Sequence, residues 1–313
     1  MTDRTIVLGS RGSALALWQT NYIASILKRA VPQYTYRIEV IKTMGDKIHD
    51  VALSRIGGKG LFTKELERAL LEGRVDLCVH SMKDMPTVLP EGLCIAGVPE
   101  RACPLDVLVA PDQGTTIDSL PAGSRVATGS LRRAAQLRRL RPDIETCEIR
   151  GNVDTRIKRV MSGEFDAAVM AAAGIERLGM NEAIASHIPA KTMIPAAGQG
   201  VIALETRADD DSARSLCQAI TDTKTLRDVS AERFILAALE GGCQVPMGVY
   251  AYKTSDDMVE IDSFVSAIDG SNFLRAQGSG SIATIQSIAE QVRDDLVAQG
   301  AREVLAQARG DVQ

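Results

Sequence analysis

The stretch 5-TIVLGSRGSALALWQTNYIASILKRA-30 decides the fold class. TIVLGS is an apolar, β-branched run of strand length, and SALALWQTNYIASILKRA carries apolar residues at helical spacing. A strand running through Gly-Ser-Arg-Gly-Ser into a helix is the first half of a strand–helix–strand unit, and YRIEVIKT (36–43) supplies the next strand. The pattern then repeats with LFTKELERALLEG (61–73) as a helix and VDLCVHS (75–81) as a strand. Apolar strands alternating with amphipathic helices predict a mainly parallel sheet covered on both faces.

A second unit of the same kind is expected from about residue 100. Its strands are read at 106–110, 124–129, 146–151 and 165–171, and its helices at 131–140, 153–162 and 172–178. PAAGQG (195–200) then leads into VIALETR and a helix near 211–220, which could return to either sheet. From about 221 the character changes. A helix over 225–240 is followed by VPMGVYAYK, MVEIDSFVSAI and SNFLRAQGSG, an Asp269-Gly270 turn joining the last two, and a closing helix over 283–307, together a small α+β domain. The glycine-rich, charged segment 44–60 is expected to be a lid loop.

Composition narrows the function. Aromatic residues are only 4% of the chain, too few for base-stacking platforms. MTDRTIVLGSRGS lacks an apolar core of signal-peptide length and no apolar run approaches a membrane span, so a cytoplasmic protein is expected. The cysteines at 78, 94, 103, 147, 217 and 243 form no CxxC pair, and with histidines at 49, 80 and 187 they show no metal-ligand spacing, so no metal is expected. The net charge of −4 conceals a segment, 125–159, with ten Lys/Arg against four acids. A local basic field in an acidic chain points to a specific anionic ligand rather than to general nucleic-acid binding.

Three strand-to-helix junctions share one design: 9-GSRGS-13, 128-TGSLRR-133 and 150-RGNVDTR-156. Each sets glycine and hydroxyl or amide residues at a helix start beside arginine, and helix N-termini with arginine suit carboxylate or phosphate. None is a Walker A loop, and GGKG (57–60) lacks its spacing. In 80-HSMKDMP-86 an aspartate follows a strand, where it could hold a developing cation; Lys83 and Asp84 would point to opposite sides of an extended chain, and His80 is more readily a packed residue than a base. In 239-LEGGCQVPMG-248, glycine after the helix suits a left-handed cap, which puts Cys243 on a bare, tight loop. On that loop alone, a small buried hydrophobe is the simpler reading of the thiol.

Taken in order, 57-GGKGLFTKELE-67, 80-HSMKDMP-86, 128-TGSLRR-133, 150-RGNVDTR-156, 195-PAAGQG-200 and 239-LEGGCQVPMG-248 resemble the porphobilinogen deaminase (hydroxymethylbilane synthase) family. The resemblance implies two α/β domains of the type II periplasmic-binding-protein kind and a small α+β C-terminal domain: 1–99 with 201–220, 100–200, and 221–313. It implies that Cys243 carries a dipyrromethane through a thioether, and that four porphobilinogen molecules are condensed head to tail on it with loss of ammonia, releasing 1-hydroxymethylbilane for haem-type tetrapyrrole biosynthesis. Asp84 matches the catalytic aspartate, which stabilises the cationic methylenepyrrolenine. Lys83, Ser13, Ser81, Thr128, Ser130, Arg132, Arg133 and Arg150 match cofactor-binding positions, and Arg11, Gln19, Lys59, Arg150, Arg156, Arg177 and Gln199 match substrate-binding ones. A monomer is implied, with its product passed to a cyclising enzyme. Two departures stand out: Gly129 where the family reads serine, and 103-CPLD-106 where it has an Asp-Pro-Arg-Asp run. The alternative is a two-lobed, non-catalytic binding module for a small polycarboxylate.

Overall fold

The computed structural model describes residues 4–43, 63–240 and 245–310. The lid loop with Lys59, and Cys243 itself, lie outside the described residues. The chain forms two compact units, residues 1–102 with 200–227 and residues 103–199 with 228–313.

The first unit is built on β1 (Thr5–Ser10), β2 (Thr35–Val40), β3 (Leu77–Ser81) and β4 (Leu93–Gly97). Between them run α1 (Ala14–Ala30) and α2 (Lys64–Leu71). Side chains alternate across β1, so Ile6 and Leu8 pack with Ile23 and Leu27 of α1, while Val7 turns to the opposite core of Leu66, Leu70 and Val75. Ser13 starts α1 by accepting a hydrogen bond from the Ala16 amide (3.3 Å).

The second unit repeats the plan with β5 (Asp106–Val109), β6 (Arg125–Ala127), α3 (Leu131–Leu140), β7 (Glu145–Cys147), α4 (Val153–Met161), β8 (Ala167–Ala171), α5 (Ala172–Arg177) and β9 (Ile184–Ile188). Its strand order is β7-β6-β8-β5-β9, with β5 antiparallel to both neighbours. The chain then returns as β10 (Ile202–Arg207), which enters the first sheet antiparallel between β3 and β4 to give β2-β1-β3-β10-β4. Both sheets are therefore mixed rather than mainly parallel. Each holds one strand that runs opposite to its neighbours, and periodicity cannot report direction. β4 and β9 were not anticipated, because each is five residues long without clean alternation.

After α6 (Asp211–Gln218) and α7 (Thr223–Ala238), the strands β11 (Met247–Lys253), β12 (Met258–Val265) and β13 (Leu274–Ser281) form an antiparallel sheet. Its core joins Ile235 and Leu239 to Val249, Ile261, Ile288 and Val292. The expected closing helix is two: α8 (Ile285–Ala298) and α9 (Ala301–Arg309). Gly300 breaks it, with φ +94° that a side-chain-bearing residue avoids. No helix of the described residues is long and apolar enough to cross a membrane.

The start of β11 packs against the 194–195 backbone, and the Val249 amide donates to the Pro195 carbonyl (3.0 Å). A Cβ on Gly248 would lie 2.8 Å from the Ile194 carbonyl oxygen and 2.9 Å from that of Pro195. Gly248→Ala is expected to cost about 1–3 kcal/mol as overpacking. The measurement is the urea midpoint, which should fall at unchanged m-value.

Candidate functional site

In the first unit the informative turn follows β3. Met82–Asp84 is one turn of 3₁₀ helix rather than an extended segment, so Lys83 and Asp84 do not face opposite sides as a strand would place them. Met82 and Met85 are buried and fix the turn; the Met82 amide donates to the Val201 carbonyl (2.9 Å) and the Met85 amide to the Met82 carbonyl (3.1 Å). Between these anchors Lys83 is half-buried and Asp84 exposed. Ser81, just before the turn, accepts a hydrogen bond from Gln19 Nε2 (3.0 Å), so these two expected contact residues bind each other. His80 is buried against Glu205 (3.0 Å), as a packed histidine. Ser13 caps α1, and its hydroxyl proton stays available because the cap uses only the oxygen as acceptor. Arg11 is half-buried at the end of β1.

The second unit holds most of the expected arginines, and what satisfies them was not legible in sequence. Arg132 and Arg133 are buried at the start of α3, and both close on the fully buried Asp106 at the start of β5. Arg132 donates through Nη1 to Asp106 Oδ2 (2.7 Å) and to the Ile194 carbonyl (2.7 Å). Arg133 donates through Nε to Asp106 Oδ1 (2.9 Å) and through Nη2 to Gln199 Oε1 (3.3 Å). Gln199 Nε2 donates to the Pro104 carbonyl (2.7 Å) and to Asp106 Oδ1 (2.9 Å). Burial alone would raise the Asp106 pKa, but the two guanidinium charges and the Arg132 and Gln199 hydrogen bonds reverse this and hold it well below the usual carboxylate range. Burial lowers the Arg133 pKa, with Asp106 opposing.

Several other arginines of the basic segment also have protein partners. Arg138 donates to the Ile268 carbonyl and Thr146, Arg141 pairs with Asp143, and Arg159 pairs with Glu164. Arg150 is half-buried and pairs with Glu148 (2.6 Å), an exposed carboxylate, while Arg156 Nε donates to the Gly151 carbonyl (2.7 Å). Arg177 closes α5, half-buried. Thr128 is buried and accepts from the Ser130 amide (3.2 Å), and Ser130 is half-buried. Gly129 does more than remove a hydroxyl: a Cβ there would lie 2.9 Å from the Ile149 carbonyl oxygen, so the 128–133 and 149–152 junctions approach through bare backbone.

Among the buried acids that escaped sequence reasoning, two tie segments of the second unit together. Asp106 is one; nothing near it marks its partners in α3. Glu232 of α7 is the other, fully buried, accepting from the Gly198 amide (2.6 Å) and the Ala251 amide (3.0 Å). It ties PAAGQG to β11. The glycines expected to take the left-handed cap lie outside the described residues; Glu240 just before them has φ +51°. Two of the described thiols are poor nucleophiles: burial pushes Cys217 up to about 12, and burial together with Glu205 and Glu67 lifts Cys78 well above the usual thiol range.

Asp106→Asn is expected to lower stability at neutral pH. Because the folded pKa of Asp106 is depressed, its contribution is present above the unfolded value near 4 and is lost as pH falls below it. The gap in unfolding free energy between wild type and variant should therefore be constant from pH 7 to about 5 and narrow in acid. A gap that widened in acid would contradict the assignment. Asp106→Ala, which leaves two buried guanidiniums without their carboxylate, should cost about 3–5 kcal/mol.

Comparison with known proteins identifies the family. Residues 6–215 match the family described as porphobilinogen deaminase, dipyrromethane cofactor-binding domain, and residues 226–298 match the porphobilinogen deaminase C-terminal domain. Among curated relatives, the porphobilinogen deaminase of Syntrophobacter fumaroxidans is 46% identical over 97% of this chain and 98% of its own length. That of Bacillus cereus is 43% identical over 99% of this chain and 100% of its own. Among solved structures, a probable amino-acid ABC transporter extracellular-binding protein from Bacillus subtilis aligns at 14% identity, over 73% of this chain and 97% of its own, with a TM-score of 0.41. The periplasmic VFT2 domain of Bordetella pertussis BvgS aligns at 16% identity, over 69% of this chain and 86% of its own, also with a TM-score of 0.41. With family models spanning both parts and relatives above 40% identity along nearly its whole length, the chain belongs to the porphobilinogen deaminase family, the hydroxymethylbilane synthases with a dipyrromethane-binding domain.

Proposed function

We propose that this chain condenses four porphobilinogen molecules in succession and releases 1-hydroxymethylbilane, with Asp84 as the catalytic residue and Cys243 as the covalent anchor of the cofactor. The observation that carries the reading is the turn after β3, where two buried methionines hold an exposed carboxylate beside a half-buried lysine. Such a turn displays a carboxylate on rigid backbone without consuming it in a buried ion pair. Asp84 accepts hydrogen bonds from pyrrole N–H groups and stabilises the cation that forms as porphobilinogen loses ammonia, a task that needs its ionised form. The dipyrromethane supplies the nucleophilic pyrrole end on which chain growth starts.

The donor set fits a ligand that brings an acetate and a propionate on every ring. Ser13 and Thr128 each accept a local amide bond, which leaves the hydroxyl proton for a carboxylate. Arg150, paired with an exposed Glu148, can exchange that partner for a ligand carboxylate at small cost, because exposed ion pairs are worth little. Arg11 and Lys83 in the first unit, and Arg156 and Arg177 in the second, are half-buried cations suited to the same ligand groups. Arg132, Arg133 and Gln199 act in this reading as a positively charged, rigid base for the Thr128–Ser130 turn, and Gln19 with Ser81 as a brace for the Asp84 turn.

The chain divides in this reading into three domains, the last built on the antiparallel β11–β13 sheet with its own core. It works as a cytoplasmic monomer, and the linear product needs a cyclising enzyme to close the ring.

Asp84→Asn keeps the shape and removes the charge. It should retain the covalent cofactor while kcat falls by at least about a hundredfold; normal turnover would remove Asp84 from the chemistry. The intact mass of the denatured wild type should exceed that of Cys243→Ser by two porphobilinogen units less two ammonias. A wild type that stays unmodified after incubation with porphobilinogen would leave the polycarboxylate-binding module instead.

A further inference from the structure

One cluster of metal-ligating side chains plays no part in this chemistry. Cys103 lies in the segment that leads into β5, Glu176 on α5 and His187 on β9. The sheet register explains why they meet. Val107 pairs with His187, and Asp106 with Ala171, the last residue of β8 before α5 begins. The start of β5 thus lies at the same end of the sheet as the ends of β8 and β9. The Cys103 sulfur, one Glu176 carboxylate oxygen and one His187 ring nitrogen all lie within 4.8 Å of one another. The Glu176 and His187 atoms are 3.8 Å apart.

We propose that Cys103, Glu176 and His187 form a site for a borderline divalent transition-metal ion of the zinc type, with a fourth position open to water. Thiolate, imidazole and carboxylate together suit Zn²⁺, whose bonds to S, N and O are about 2.3, 2.0–2.1 and 2.0–2.2 Å. Ligands at those lengths in a tetrahedron stand about 3.5 Å apart. The Glu176–His187 pair is already near that separation, and His187 is exposed and Glu176 half-buried, positions that leave their side chains room to turn. The Cys103 side chain packs at one side against the core of Val107, Ile175 and Ala183, which fixes its position. Burial, with Glu176 and Asp106, raises the Cys103 thiol, opposed by the Leu105 amide, so metal must displace a proton and affinity should rise with pH. No charged group of the site is used by the Asp106 cluster, so the site can fill with that cluster intact.

The test uses the full-length holoprotein and metal alone. Titration with Zn²⁺ against a chromophoric chelator should show one site, and titration with Co²⁺ should produce a thiolate-to-cobalt charge-transfer band with tetrahedral d–d absorption. Cys103→Ser and His187→Ala should each weaken binding by at least about tenfold and abolish or shift that band, while Cys147→Ser leaves both unchanged. Zn²⁺ should also slow alkylation of Cys103, located by peptide mass, without slowing that of Cys94. Unchanged affinity in His187→Ala, an exposed position whose loss leaves the fold intact, would overturn the proposal. So would cobalt binding without a thiolate band, or alkylation of Cys103 at the same rate with and without metal.

Discussion

The second unit depends on one buried carboxylate. Asp106 is fully enclosed at the start of β5 and receives both Arg132 and Arg133. Removing three charges from water is costly, and such a cluster persists only when nearly every donor and acceptor is met. Here the Ile194 and Val169 carbonyls and Gln199 take up guanidinium donors that Asp106 leaves over. The result joins the start of α3, the start of β5 and the 194–199 segment in a single polar knot. Two arginines against one aspartate leave a positive charge in excess, in a setting of low dielectric. The excess acts on the adjacent Thr128–Ser130 turn as a field, so these arginines favour an anionic ligand there even with their hydrogen bonds spent on the protein.

That distinction marks how far the sequence could be read. The strand–helix alternation, the change of character near 221 and the family resemblance were all legible, because each rests on local pattern. Helix α3 was read to its ends, since Ser130 and the leucines flank a clear apolar face. The partners of its arginines were not legible. Asp106 is remote in sequence and unremarkable among apolar neighbours, and arginine beside a helix start looks the same whether its fork faces a ligand or a buried acid. Gln199 and the Gln19–Ser81 pair were obscured in the same way. Strand direction was lost for a related reason: β10 reads as a buried strand, and only the long return of the chain makes it antiparallel. The break at Gly300 was visible as a glycine, yet the apolar spacing on either side is in phase enough to suggest one helix.

Asp84, to which the proposed chemistry is assigned, is held by different physics from the arginines. Asp84 stands on a turn whose fixed points are apolar, Met82 and Met85, and whose hydrogen bonds are made by backbone. In the second unit, Glu232 accepts amide protons from Gly198 and from Ala251 of β11, and Gly248 lets β11 lie directly on the 194–195 backbone, so this join is likewise made by backbone groups. A carboxylate proposed to meet a transient cation is best served by a support that holds when its own charge changes. A charged pair would not meet that demand, because its strength alters with each such change, whereas methionine packing and backbone bonds do not. Charge is thus concentrated at Asp106 and its arginines in the second unit, whereas the Asp84 turn of the first takes its precision from neutral packing and backbone bonds.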